Sequence, residues 1–250
     1  MKINNSIDLE VPPDDTVIWR YVDFPKFASF LYNKSLWFTR LDYLTDMYEG
    51  ELPHENMDEM MAKLYETDPH MPHKEQIRRV LKEAENIRRF KKTIYINSWS
   101  MSNIESYALW KIYLNHSNHG VAIKTTVGKV KECFLPSNFR GVIGKVNYLN
   151  KVSEVTQDLI SGTKKPWYEY EKEFRIIIKD HFNIGKDENN KEVLQPYDIK
   201  GLDLKVDLGI LVDRIVVSPF CEDWFFEVVK KIVKERPEGL ILQKSKVMDR

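Results

Sequence analysis

The sequence predicts an α+β fold: a central, mostly antiparallel sheet with flanking helices and a helical insertion. Three observations lead there. β-Branched runs at 142–148, 173–179 and 210–217 have strand character and crowd the second half. Between about 50 and 92 the apolar residues change to helical spacing, with Met57, Met60, Met61 and Leu64 on one stripe and Ile77, Val80, Leu81, Ala84 and Ile87 on another. No linker, internal repeat or low-complexity segment interrupts the chain, so residues 1–250 read as a single domain carrying the insertion.

The elements follow in order. Val17-Ile18-Trp19-Arg20-Tyr21-Val22 is the first predicted strand. Asp23 is placed to cap a helix at 25–33, with Pro25 in its first turn, where a missing N–H costs nothing. Residues 36–39 return as a strand, and the two helices of the insertion follow, broken by the Pro-containing stretch 67–72. Residues 94–100 read as a strand, 105–115 as a helix and 121–124 as a further strand. In the second half, 186–191 is a polar turn between strands. A final helix at 222–235 turns Phe225, Val228, Val229, Ile232 and Val233 inward and stops at Pro237 and Gly239. The apolar segment 240–242 then closes the sheet. Ile96, Val121, Ile123, Ile176, Ile178, Ile215 and Val217 are the expected sheet core.

Composition narrows the function classes. Apolar residues make up 42% and charged residues 30% of the 250, values ordinary for a globular protein. The 38 basic and 38 acidic side chains cancel, which argues against a protein held mainly by nucleic-acid phosphates, although not against a local basic groove. Cys133 and Cys221 stand far apart, and no Cys–His spacing implies zinc. No signal peptide and no apolar run of bilayer length is present, so a cytoplasmic location is the default expectation. Gly-rich phosphate loops, G-x-S-x-G elbows and kinase signatures are absent.

The most informative stretch is Trp167-Tyr168-Glu169-Tyr170-Glu171-Lys172-Glu173-Phe174-Arg175. Read as a strand, it lines Glu169, Glu171, Glu173 and Arg175 along one face, because residues two apart point the same way. Like charges in such a row repel, so the pattern points to a site as readily as to a solvated face with basic partners. Other features have plainer readings. His54, His70 and His73 lie between helices without metal-ligand spacing, and His116 and His119 bracket a turn ending at Gly120. Arg78, Arg79, Lys82, Arg88, Arg89, Lys91 and Lys92 alternate with acids as a charged helix face does. Tyr107, Trp110 and Leu114 repeat at helical spacing, which favours core packing.

In sequence order, Trp19-Arg20-Tyr21, Leu36-Trp37-Phe38-Thr39, Leu44-Thr45-Asp46-Met47-Tyr48-Glu49-Gly50, Ser98-Trp99-Ser100, Leu109-Trp110 with Tyr113, His119-Gly120, Lys165, Trp167, Glu171 through Arg175, and Ile215-Val216-Val217-Ser218-Pro219 form a series. Together they resemble a bacterial group known as domain of unknown function twenty-nine seventy-one, over about residues 17 to 245. That group often has Asn-Asp-Pro-Phe-Glu where this chain reads Thr45 to Glu49, and Asp46 and Glu49 keep its carboxylates. The element order also resembles the ADP-ribosyltransferase fold. In that superfamily a first-strand Arg, His or Tyr holds NAD, a Ser-bearing strand cradles the nicotinamide, and a late Glu binds the ribose and stabilises the oxocarbenium-like transition state.

The resemblance implies an ADP-ribosyltransferase or NAD glycohydrolase, in the setting of a bacterial toxin or phage-defence effector, with NAD as substrate. Arg20, Tyr21, Ser98, Ser100, Trp110 and Arg175 would then contact NAD, and Glu173 and Glu171 would act in catalysis. Trp99, Trp110 and Tyr21 offer rings on which nicotinamide can stack. The acceptor is left open between protein and nucleic acid. Two other classes stand beside this one: a metal-dependent nuclease or hydrolase built from Asp46, Glu49, Glu171 and Glu173, and a non-catalytic sensor or interaction domain.

Overall fold

The structure, a computed structural model, describes residues 1–46, 48–114, 117–179, 182–186 and 192–248. The chain runs through β1 (Lys2–Asn5), β2 (Val17–Asp23), α1 (Phe24–Asn33), β3 (Ser35–Arg40), α2 (His54–Thr67), α3 (His73–Lys91), β4 (Tyr95–Met101), α4 (Tyr107–Leu114) and β5 (Gly120–Thr126). It continues through α5 (Val127–Glu132), β6 (Arg140–Lys145), β7 (Asn147–Tyr148), α6 (Gln157–Ser161), β8 (Thr163–Lys164), β9 (Glu173–Ile178), β10 (Phe182–Lys186) and β11 (Glu192–Pro196). β12 (Gly201–Lys205), α7 (Leu208–Leu211), β13 (Arg214–Val217), α8 (Asp223–Lys234) and β14 (Leu242–Lys244) complete it.

Among the described residues one 10-stranded sheet runs in the order β1-β6-β9-β4-β2-β5-β13-β14, with β3 paired to both β4 and β12. The pairs are antiparallel except β1–β6 and β13–β14. The α+β class with a central, mostly antiparallel sheet is therefore the observed one. Ile96, Val121, Ile123, Ile176, Ile178, Ile215 and Val217 are all buried in the sheet. Each such side chain contributes about 1.5–3 kcal/mol by leaving water.

The sheet's two faces are covered differently. Ile18, Val22, Trp99, Ile123, Ile143, Phe174, Ile176, Ile215 and Val217 face one layer with Phe27 and Leu31 of α1 and Phe225, Val229 and Val233 of α8. On the opposite face two separate clusters form. One gathers Ile94, Ile96 and Ile177 with Ala84 and Ile87 of α3. The other gathers Trp19, Tyr21, Ala122 and Val216 with Leu109, Trp110 and Leu114 of α4. Polar residues of β4 and β9 occupy the gap between them.

Local signals explain most elements. Asp23 caps α1 by accepting from Lys26 N at 2.8 Å, and the helix ends at Lys34 in the left-handed conformation, φ 48°. The helices of the insertion fall at 54–67 and 73–91. α3 buries Val80, Ala84 and Ile87 and turns Arg88 and Arg89 outward, where they pair with Glu51 and Glu85. Gly144 sits opposite Arg175, and a Cβ there would stand 2.4 Å from the Leu9 Cβ, so glycine lets the N-terminal segment close over the sheet.

Three local readings are corrected. Residues 210–217 are not one strand: Asp207 accepts from Gly209 N and Ile210 N, caps the short helix α7, and delays the strand to Arg214. The strand expected over 142–148 ends at Lys145: Val146 N still donates to the Glu173 carbonyl of β9 at 2.9 Å, but Asn147 N turns to the Gly162 carbonyl at 2.8 Å and starts β7, which pairs with β8. The closing strand is Leu242–Lys244 rather than 240–242. Of the polar turn at 186–191, residues 187–191 lie outside the described residues, as does His116; β10 and β11 flank that turn as an antiparallel pair. No helix among the described residues is long and apolar enough to cross a membrane.

Candidate active site

β4 has different partners at its two ends. Ile96 and Tyr95 pair with Thr39 and Arg40 of β3, whereas Ser100 and Met101 pair with Trp19 and Ile18 of β2. Between these points, along Asn97, Ser98 and Trp99, β2 and β3 diverge and the sheet forks. The fork opens a cleft of about 1010 Å³ whose lining includes Arg20, Tyr21, Ser98, Ser100, Glu171, Glu173 and Arg175. Seven of the eight residues singled out from the sequence thus share one cavity, although they come from three distant segments.

On the unforked side of β4, the antiparallel register sets Ser98 opposite Arg175 and Ser100 opposite Glu173. The two-residue period puts all four on the face that carries the gap between the apolar clusters. There Arg175 donates through Nε to Glu173 Oε1 at 2.9 Å and through Nη2 to Glu173 Oε2 at 3.1 Å. The same Nη2 donates to Glu49, and Nη1 donates to the Ser161 carbonyl. Lys164 joins three carboxylates at once: its Nζ lies 2.6 Å from Glu171, 3.0 Å from Glu173 and 3.2 Å from Glu49.

All five of these side chains are 10% exposed or less. Buried charges persist only when paired and hydrogen-bonded. Here three carboxylates against two cations leave one negative charge in excess, next to the cleft. Burial opposes the ionised form of Glu173, but Arg175 and Lys164 outweigh it and, with a hydrogen bond from Ser98, bring its carboxyl down to about 2. Glu171 moves the other way: burial raises its pKa, Lys164 pulls it back, and Glu173 and Glu49 add to the rise. Neighbouring carboxylates pushed in opposite directions are suited to different roles.

Across the fork stands Arg20. It donates through Nη1 to the Ser98 carbonyl at 2.6 Å and lies 5.9 Å from the Trp99 ring centre. It forms no carboxylate ion pair among the described residues, and burial lowers its pKa to about 10. Tyr113 of α4 also faces the cleft, stacked on Tyr21 with ring centres 6.4 Å apart. Burial, then Glu171 and Glu173, raise its pKa and keep the phenol protonated.

Two readings of the site change. The strand begins at Glu173, as the 173–179 reading has it, and strand facing does not extend back to Glu169: Pro166–Glu171 is a 3₁₀ turn opened by proline, and Lys172 follows in the left-handed conformation, φ 43°. Glu169 is exposed and outside the strand, whereas Glu171 reaches Lys164 through the turn, its carbonyl held by the Ser100 hydroxyl at 2.8 Å. Trp110 does not line the cleft. It is fully buried beneath Tyr21, in edge contact at 4.9 Å, and its Nε1 donates to Glu105 at 3.1 Å. Its helical spacing with Leu114 marks core packing. Lys164, the hub of the cluster, was not singled out by the sequence, where it is one of two adjacent lysines without periodic context.

What Glu49, Glu171 and Glu173 share is the Lys164 ammonium, and the Arg175 guanidinium holds two of them. Among the described residues no group of three His, Cys, Asp or Glu is arranged to hold a metal ion.

An acid-stability experiment follows from these charges. A carboxyl whose pKa falls on folding stabilises the fold above its unfolded value and loses that contribution as pH drops through the folded one. Glu173 is expected to make stability fall as pH decreases from its ordinary 4.5 toward about 2. Glu171, with its pKa raised, works in the opposite direction above its ordinary 4.5, outside that range. Urea midpoints measured across this range should decline with acid for the parent and more shallowly for Glu173→Gln; equal slopes would contradict the assignment.

Comparison with known proteins gives similarity to solved structures. No protein-family model matches the chain, so the resemblance to the domain of unknown function gains no match there, and no curated protein matches it. The chain is similar to Thermus sp. 2.9 DarT in complex with NAD+, at 10% identity and a TM-score of 0.41, covering 94% of this chain and 98% of that one. It is similar to the same protein in complex with carba-NAD+, at 10% identity and a TM-score of 0.39, covering 94% and 97%. The complex with ADP-ribosylated ssDNA gives 11% identity, a TM-score of 0.37 and coverage of 95% and 96%.

Proposed function

We propose that the chain cleaves NAD at the nicotinamide–ribose bond and transfers ADP-ribose to an acceptor or to water. The observation that carries this reading is the opposed charge of the fork: on one bank Arg20, which has no carboxylate partner among the described residues, and on the other the ionised, immobilised Glu173 in a cluster with net negative charge. NAD has the matching polarity, with an anionic pyrophosphate at its centre and a cationic pyridinium–ribose at one end.

In this reading Arg20 takes the pyrophosphate, with Ser98 and Ser100 along the floor. The C1′–N bond breaks, its electron pair leaves with nicotinamide, and positive charge develops on the ribose. Glu173 faces that charge from a fixed, buried position, where electrostatic stabilisation is strongest. The acceptor oxygen or nitrogen then bonds C1′ and its proton passes to Glu171, whose raised pKa makes it the better base. Arg175 and Lys164 position the two carboxylates. A metal-dependent hydrolase fits less well, since Lys164 and Arg175 already hold the carboxylates it would use. The toxin or phage-defence setting belongs to the same proposal.

Nicotinamide release on mixing with NAD is the direct test. Single-stranded DNA, the ADP-ribosylated ligand in one Thermus DarT complex, is one acceptor to assay beside protein. Absence of nicotinamide release under all acceptor conditions would sink the reading. Arg20→Met supplies a second check. It removes a half-buried cation that has no carboxylate partner among the described residues but donates to the Ser98 carbonyl, so stability is expected to change by no more than about 1 kcal/mol, while the NAD dissociation constant rises about tenfold or more, the loss of one charge-assisted contact. Calorimetric titration beside thermal melting reads both; unchanged NAD affinity would remove Arg20 from the site.

A further inference from the structure

A second cavity, of about 290 Å³, lies behind the buried ion cluster. Asp46, Glu49 and Lys164 line both it and the cleft, so the Glu49–Lys164 pair forms the partition between them. Its remaining walls come from the segment before α2, from α2 itself, and from the 149–165 region. Leu52, Met57, Leu149, Val152 and Ile160 make these walls largely apolar. An apolar cavity of about 150 Å³ already takes benzene, and small-molecule pockets begin near 300 Å³. The space suits a molecule of one or two rings.

The charges around it select further. Each is answered within the protein: Arg88 Nε lies 3.0 Å from Glu51, Lys164 lies 3.2 Å from Glu49, and Lys165 lies 3.6 Å from Glu55. Asp46 accepts from Tyr48 N at 2.9 Å. No cation there is left without a carboxylate, and Asp46 is only half-buried, so a charged ligand would lose its water for little return. One polar group lacks a partner, however. Thr163 lines the cavity, is 9% exposed, and its hydroxyl makes no hydrogen bond among the described residues. A buried hydroxyl left unsatisfied costs about 1–3 kcal/mol, and a hydrogen bond to a ligand, reached by rotation about χ1, would recover it.

We propose that this cavity is a second small-molecule site, specific for an uncharged ring compound carrying one hydrogen-bonding group. It is separate from the cleft and stands whether or not the chain uses NAD.

The test uses ligand-observed NMR on the full chain with benzamide and indole as neutral probes, and benzoate and benzamidine as charged controls of the same size. Millimolar to submillimolar binding of the neutral probes is expected, with at least tenfold weaker binding of the charged ones. Thr163→Val keeps the side-chain shape and should weaken benzamide about fivefold or more. Met57→Trp, at a half-buried position on α2, should fill the space and abolish binding of indole with little change in melting temperature. Should Met57→Trp destabilise the fold, Thr163→Val still decides the matter. Neutral probes that fail to bind the parent, that bind both variants as they bind the parent, or that bind no better than benzoate would overturn the proposal.

Discussion

Glu173→Gln is expected to lower NAD turnover by about 10²–10³-fold, the loss typical when one preorganised electrostatic contact to the transition state is removed. The substitution keeps the side chain's shape but removes the charge that faces the developing oxocarbenium ion. Nicotinamide release over time measures the effect. The cluster makes the control essential. Glu173 accepts from Arg175 and Lys164, so its neutralisation also weakens a buried network. The remaining carboxylates, Glu49 and Glu171, then balance the two cations, and the stability cost is expected to be about 1–3 kcal/mol. A protein that stays folded yet loses turnover carries the catalytic reading; parental turnover in Glu173→Gln would end it. Glu171→Gln is expected to damage transfer to an acceptor more than hydrolysis, as loss of a base that serves only the acceptor should.

The second large effect concerns stability. Arg175→Met leaves three buried carboxylates facing Lys164 alone. Removing one partner of a buried charge network costs about 3–5 kcal/mol, because the stranded carboxylates keep their desolvation penalty. The denaturant midpoint at neutral pH should fall accordingly. Acid should narrow the gap between variant and parent, since protonation relieves the surplus negative charge. A variant as stable as the parent at neutral pH would show that the cluster costs as much in desolvation as it returns in attraction.

Some of this architecture could be read in advance and some could not, for physical reasons. The strands β2, β4, β5 and β9 announce themselves through β-branched and aromatic runs, and α1 through Asp23 and Pro25. β12 was missed because Gly201-Leu202-Asp203-Leu204-Lys205 has ordinary alternation but no β-branched residue. The gathering of Ser98, Ser100, Glu173 and Arg175 was legible because strand residues keep their facing once the strands are known; Arg20, which alternation puts on the face of Ile18, Val22 and Trp99, meets them only through the fork, which leaves no period in the sequence. Trp110 was ambiguous, since a helical stripe faces a core and a ligand with the same period. Lys164 was invisible. Its role arises from a two-residue strand that pairs with β7 and a 3₁₀ turn that brings Glu171 back, neither of which leaves a period in the sequence.

The fork also bears on how the backbone meets solvent. In a strand a residue's N–H and C=O point to the same edge, and the Ser98 carbonyl turns toward Arg20. The Ser98 amide therefore opens onto the cleft from the middle of a ten-stranded sheet rather than into a ladder. Amide hydrogen exchange normally slows toward the centre of a sheet. This chain should break that trend with a fast-exchanging amide flanked by slow ones, and the same amide would become protected when a ligand with a carbonyl or carboxamide fills the fork. A single backbone position would thereby report occupancy of the cleft without any label or assay of turnover.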